Sequence, residues 1–491
     1  MVEDFTDRTQ ISGENCLELD TNANELSLRN DNDTGLSENL ESPSDEAIKT
    51  GEKDSVEFAE GGRGWLVVFG CFFTSFTTFG MINAYGVFQS YYETVLFTDV
   101  QSFKLSVIGS CQPSIMYLLV PFVTPSIHAC GVRNTLAFGA SLMIIGLFGL
   151  STTQAGELWK CYLFQAIMFS VGGSFYYPPI FFSMIEWFKE KRATAIGTAS
   201  CGVGLGGAVW PLIFKHMLPK VGFHWTVRCI AFIYIPLTLC GVIFIPQRLP
   251  KRYTHKPDNV SNSTFSLEKV KKLPQTYKEI VKNWFVVGRS KSLLVLLIVN
   301  FLNMIGSYPA IFYLDLFATT IGPNNRITPY ITMMYSFMGA PGRIIPAMVA
   351  DKFGRINVLT VCILLSGALI LAMWIPAIKT ENMGLFAGFC VVFGFFICPL
   401  FSLFPACMGQ MFGIKGSEDR LFLFFVTSGP GPLIGTLIAG SFIPTNQQVD
   451  KDVIMDSFIK LNIFTAVILI ASGLILLGLR LKISRKLTDF I

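Results

Sequence analysis

In "GAPGRIIPAMVADKFGRINV" (339–358), Arg343 stands inside an apolar run that begins near Tyr330 and closes at Asp351. The charged turn from Asp351 to Arg355 is followed at once by a second apolar run. A bilayer core about 30 Å thick asks for helices of about 20 apolar residues joined in this way. Eight residues at about 1.5 Å each set Arg343 roughly 12 Å inside the end marked by Asp351. A charge at that depth costs about 2.5–3.5 kcal/mol on insertion scales and turns toward a bundle interior rather than lipid. The stretch predicts a membrane helix with an inward-facing cation.

Composition extends the reading to the whole chain. Of 491 residues, 51% are hydrophobic and 15% charged, with a mean hydropathy of +0.51. Soluble domains keep about a quarter of their residues charged. Twelve stretches have spanning length: 65–90, 105–126, 134–153, 158–183, 193–214, 225–246, 292–315, 328–350, 357–378, 383–405, 420–443 and 458–480. The one long polar connection falls between the sixth and the seventh. The chain reads as an all-α polytopic membrane protein of twelve transmembrane helices in two six-helix halves. Its parts are an acidic arm (1–62), a first half (63–246), a basic central loop (247–291), a second half (292–482) and a tail (483–491). The arm is rich in Ser, Asn and acid and poor in aromatics, so disorder is expected there. No apolar segment follows a basic start, so the first membrane helix is expected to act as its own insertion signal.

Lys and Arg gather after the even-numbered helices: Arg133, Lys189, Lys191, Arg192, the central loop, Lys352, Arg355 and the C-terminal tail. That asymmetry predicts a cytosolic side holding both termini. The loop run "EKVKKLPQTYKEIVKNWF" (268–285) suits anionic lipid headgroups. The 12 cysteines form no C-x-x-C pair and the 4 histidines no ligand spacing, so no metal or cofactor is expected. "CGVGLGG" (201–207) mimics a dinucleotide fingerprint, but no strand precedes it. Its Gly202 and Gly206 lie on one helix face, and Gly204 and Ala208 on another, as in close helix packing. Nothing resembles a nucleophile–base pair or a nucleic-acid patch, so an enzyme is not expected.

A weak repeat relates the halves. "HACGVRN" (128–134) follows helix 2 and "DKFGRIN" (351–357) follows helix 8. Glycine and asparagine align, His128 takes the place of Asp351, and Arg133 is shifted by one from Arg355. Asp351 lies near the start of helix 9, whose dipole favours an anion. Six-plus-six helices with this loop signature resemble the major facilitator superfamily. "EGGRGWLVVFGCFF" (60–73), "EWFKEKRATAIGTASCGVGLGG" (186–207), "FSLFPACMGQ" (401–410) and the opening stretch look like the monocarboxylate-porter family, closest to a fungal branch that includes riboflavin permeases.

The resemblance covers residues 60–480 and implies alternating access about a central site. It implies a cytosolic latch at Asp351, Gly354 and Arg355, with Glu186, Lys191 and Arg192 as further partners. Arg343 looks like the helix 8 arginine that binds the substrate anion in carboxylate-transporting members. Those members carry an acid four residues earlier, where this chain has Gly339, and a lysine in helix 1, where it has Asn83. The less charged cavity points to a hydrogen-bonding solute such as riboflavin, ahead of a simple monocarboxylate. Asn83, Tyr176, Asn303 and Arg343 are the expected substrate contacts, with Gln112, Tyr177 and Asn300 beside them. The plasma membrane is the expected location. The alternative from another class is a non-transporting sensor that signals through the acidic arm.

Three sequons, at Asn32, Asn259 and Asn262, fall on the side read as cytosolic. Expression in a glycosylating host is expected to give a protein insensitive to endoglycosidase. A mobility shift abolished by Asn259→Gln or Asn262→Gln would reverse the orientation.

Overall fold

The computed structural model describes residues 62–100, 102–245, 290–322, 326–412, 417–443 and 451–483. The acidic arm up to residue 61, residues 246–289 of the central loop, all three sequons and the end of the tail lie outside them. Among the described residues everything is helix or short connection. Water is missing from a bilayer core, so each backbone N–H and C=O must find its partner within the segment, and helices satisfy this.

The passes are α1 (Arg63–Leu96), α2 (Ser102–Leu118 with Val120–Cys130) and α3 (Val132–Leu150). α4 is assembled from four pieces between Leu158–Lys160 and Pro179–Trp187. One 53-residue stretch, Arg192–Phe244, follows. At about 1.5 Å per residue it is roughly 80 Å long, far beyond one bilayer. Gly222, with φ 72° and ψ 173°, folds it back into α5 and α6. The second half holds α7 (Lys291–Ile321), α8 (Ile331–Phe353), α9 (Arg355–Thr380), α10 (Met383–Phe412), α11 (Ser417–Ser428 with Pro430–Phe442) and α12 (Lys451–Ile483).

With α5 and α6 counted as one, eight of the described helices are long and apolar enough to cross a bilayer unaided, and the bent α2 makes a ninth. α4 and α8 are the remainder. α4 is interrupted before Pro179, and α8 carries Arg343, Pro341 and Pro346. The outer surface is apolar: Phe122, Phe138, Ile145, Phe232, Leu239 and Ile243 are each about half exposed. A soluble protein would bury such side chains; lipid solvates them.

Small residues let α5 pack on two sides. Gly202 and Gly206 leave room only for the α1 backbone at Phe72 and Phe76. Gly197 and Gly204 face α8, against the Arg343 and Ser336 carbonyls. The two glycine faces legible in the sequence thus serve two contacts, one within the first half and one between halves.

The repeat marks real turns. Gly131 (φ 83°, ψ 159°) joins α2 to α3, and Gly354 (φ 93°, ψ 131°) joins α8 to α9. Each aligned asparagine closes its turn four residues back. Asn134 donates to the Cys130 carbonyl at 2.9 Å and Asn357 to that of Phe353 at 2.8 Å. A side chain at φ 93° is strained by about 1–3 kcal/mol. Gly354→Ala should lower the thermal midpoint in detergent. Gly478→Ala, inside α12 with open space around it, should be neutral or stabilising.

Candidate functional site

Tyr177, Tyr308 and Cys398 each precede a proline. Proline removes an N–H and disfavours helical backbone in the residue before it. α4 breaks at Tyr177 and α10 at Cys398. The three side chains gather around Arg343 of α8.

Arg343 is 2% exposed. One guanidinium nitrogen donates to the Gly339 carbonyl at 3.0 Å, one turn back on its own helix. Its Nε has no hydrogen-bond partner among the described residues. Tyr117 of α2, Tyr177 of α4, Cys201 of α5, Tyr308 of α7 and Tyr335 of α8 all lie within its electrostatic reach. The Tyr117 and Tyr308 side chains, one from each half, lie within electrostatic reach of each other. Rings close the surround: Tyr117 stacks on Phe425 of α11 at 5.7 Å, and Phe181 of α4 lies 5.4 Å from Phe425. Phe79 of α1 meets Tyr177 edge-on at 4.7 Å. The result is a buried cation ringed by phenols, with its Nε–H free to meet an acceptor.

Position 339 is part of this geometry. A Cβ there would lie 2.6 Å from Cys398 Sγ and 3.0 Å from an Arg343 nitrogen. The guanidinium and the thiol occupy the space an acid would need.

At the basic face polar contacts join the halves. Asp351, at the end of α8, accepts from the backbone N–H groups of Ala193 (3.2 Å) and Thr194 (2.8 Å) and from the Thr194 hydroxyl (2.8 Å). It thus caps α5, in the other half, where the helix dipole favours an anion. The sequence had suggested α9 instead, but Asp351 lies in the last turn of α8 beside the incoming start of α5. Arg355 binds Asp351 at 2.8 Å and donates to the Lys189 and Glu190 carbonyls of the α4–α5 turn. Gly354 supplies the bend between these two residues. Arg192 is buried, donates to the Phe188 carbonyl and packs against Gly409 of α10. Lys191 is exposed. The Glu186 side chain and that of His128 lie outside the described set.

The other expected contacts are dispersed. Asn83 lines a narrow cleft near the opposite face, with Gly86, Asp315, Thr332, Tyr335 and Ser336. Tyr335 joins this cleft to the Arg343 surround. Tyr176 is turned away from Arg343: its hydroxyl donates to Thr238 of α6 and leaves no room for a side chain at Gly241. Asn303 is fully buried and donates to Val299 on its own helix. One turn on, Gly306 packs on Leu469 of α12. Gln112 donates to the Gln165 carbonyl, and Asn300 to Phe424 and Ser428 of α11. Tyr177, not Tyr176, joins Arg343. Tyr117, Tyr308 and Phe425 were not anticipated. The i, i+4, i+8 spacing of Tyr335, Gly339 and Arg343 was legible as one face of α8.

Comparison with known proteins gives a match to the Major Facilitator Superfamily over residues 65–436. The chain is similar to the MFS transporter asaE of Aspergillus flavus, 29% identical over 85% of this chain and 86% of that one. It is similar to the riboflavin transporter MCH5 of Saccharomyces cerevisiae, 26% identical over 84% and 79%. Among solved structures, the human organic anion transporter MFSD10 (TETRAN) superposes with a TM-score of 0.61 at 11% identity, covering 84% of this chain and 98% of that one.

Hydrogen bonds to a charged group contribute about 1.5–3 kcal/mol each. Asp351→Ala should therefore free the α4–α5 turn. Trypsin cleavage after the exposed Lys189 and Lys191 is expected to accelerate several-fold, with Asp351→Glu closer to wild type. Equal cleavage rates in all three proteins would remove the latch.

Proposed function

The chain belongs to the Major Facilitator Superfamily, and from that premise we propose that it carries a planar aromatic solute across a membrane by alternating access, with Arg343 meeting an acceptor group on the solute and the surrounding rings stacking its plane. Riboflavin is the first candidate. Its ring system is flat and offers two carbonyls flanking a ring N–H, and a relative of similar length bears its name. The observation that carries the reading is the buried Arg343, whose Nε lacks a partner among the described residues. Leaving a buried donor unmade costs about 1–3 kcal/mol, a cost that a bound acceptor relieves.

The cycle follows from the contacts. With Asp351 capping α5, the basic face is shut. Solute entering from the opposite face passes Asn83 and Tyr335 and reaches Arg343. Release needs the latch broken and the basic face opened. The excess of Lys and Arg supports a cytosolic position for that face, and the plasma membrane is the proposed location. A monocarboxylate is the second reading. The observation favouring it is that the residues named around Arg343 supply no carboxylate, so an anionic solute would balance the charge.

Labelled riboflavin and lactate uptake should be measured in cells expressing wild type, Arg343→Ala and Phe425→Leu. Loss of a charge-assisted contact of about 1.5–3 kcal/mol predicts a fall of about 10- to 100-fold for Arg343→Ala below saturation. Loss of an aromatic pair of about 0.5–1.5 kcal/mol predicts a smaller fall for Phe425→Leu. Undiminished flux of both solutes in Arg343→Ala would overturn the site. Lactate flux without riboflavin flux would favour the second reading.

A further inference from the structure

Position 339 has no acid, yet a carboxylate faces the cleft above Arg343. Asp315 of α7 is the one acid among the residues lining that cleft. It sits six residues inside the end of α7 at Ile321, about 9 Å below the helix end at about 1.5 Å per residue. An ionisable side chain at such depth is costly and marks a functional position.

Its surroundings span both halves. From its own half, Thr332 of α8 lines the same cleft beside it. From the other half, Gly86 of α1 offers bare backbone. A Cβ at 86 would lie 2.7 Å from Asp315 Oδ2, so any larger residue would displace the carboxylate. Lys215 of α5 lies within electrostatic reach, and its ammonium donates to the Pro329 carbonyl just before α8, at 2.5 Å. The titratable groups facing Asp315 are Lys215 from α5, Tyr335 from α8 and Cys390 from α10; α1 brings only Asn83 and Gly86. The Ser336 hydroxyl lining the same cleft has no partner among the described residues.

We propose that Asp315 is the proton-binding acid of the transport cycle, acting from α7 at the junction of α1, α5 and α8. This rests on the transporter reading given above. Ionised, Asp315 attracts Lys215 through a medium of low dielectric and holds α7 and α8 to α1 and α5, closing the face opposite the Asp351 latch. Protonated, it loses that attraction, and this face opens more readily. The proton is bound from the side to which the cleft opens and is given up when the opposite state forms. Lys215 keeps its charge throughout, and no other group need change.

The test separates the proton site from the identity of the solute. Hydrogen–deuterium exchange of the full chain in lipid nanodiscs, corrected for intrinsic exchange, needs no substrate. Between pH 8 and pH 5.5 the wild type should show a several-fold rise in exchange over 83–91 and 314–321. Asp315→Asn, which mimics the protonated acid, should exchange fast at both values, and Asp315→Glu should keep the pH response. A wild type without response, or an Asn variant titrating like wild type, would overturn the proposal. In proteoliposomes showing riboflavin exchange, Asp315→Asn should retain exchange at equal pH and lose accumulation driven by a proton gradient. Accumulation surviving in Asp315→Asn would also overturn it. Absence of riboflavin exchange with an intact exchange response over 83–91 would instead reject the solute and leave Asp315 supported.

Discussion

The seam between α5 and α8 organises the molecule. Backbone meets backbone at Gly197 against the Arg343 carbonyl and at Gly204 against that of Ser336. At one end Asp351 takes the first N–H groups of α5, and at the other Lys215 reaches the Pro329 carbonyl. From Ala193 to Lys215 is about 33 Å of helix at about 1.5 Å per residue, the thickness of a bilayer core. In lipid no hydrophobic force drives helices together, so close packing and polar contacts must do it. Glycine on α5 permits the approach, and that approach fixes where the Arg343 side chain emerges between the halves.

Along this seam, polar contacts at the ends and bare packing in the middle divide the work. The end contacts are few, directional and charged. They can be broken singly at a cost of a few kcal/mol. The middle is van der Waals contact between closely approaching backbones. Arg343 stands in that middle, with side chains of both halves around it. The tyrosines around it come from α2, α4, α7 and α8, and Tyr117 and Tyr308 bring side chains of the two halves close together there.

Much of this was legible in the residues. Hydropathy marks the passes, because a bilayer constrains segment length more tightly than water does. The aligned Gly131 and Gly354 foretold two turns of the same shape. The Gly202/Gly206 and Gly204 faces foretold two packing surfaces, although not their partners. What failed was the choice among neighbours. Tyr176 and Tyr177 are adjacent and alike, yet one turns to α6 and the other to Arg343. Helical periodicity separates such faces but does not say which faces the centre, and the break before Pro178 blurs it further. Asn303 donates to its own helix, and its Oδ1 has no partner among the described residues. Asp351 was read against the helix that follows it in sequence. The helix it caps begins far earlier in the chain, at Arg192, a pairing that only the tertiary arrangement creates.

The crowding at Gly339 has a consequence for how such a site changes over time. A side chain there meets Cys398 Sγ before it can turn toward Arg343. An acid at 339 therefore requires a smaller or displaced residue at 398, on a different helix. The two positions form an epistatic pair: either change alone is unfavourable or idle, and the cation is neutralised from within only when both occur. A site so arranged is insulated from drifting, one substitution at a time, into a different charge class.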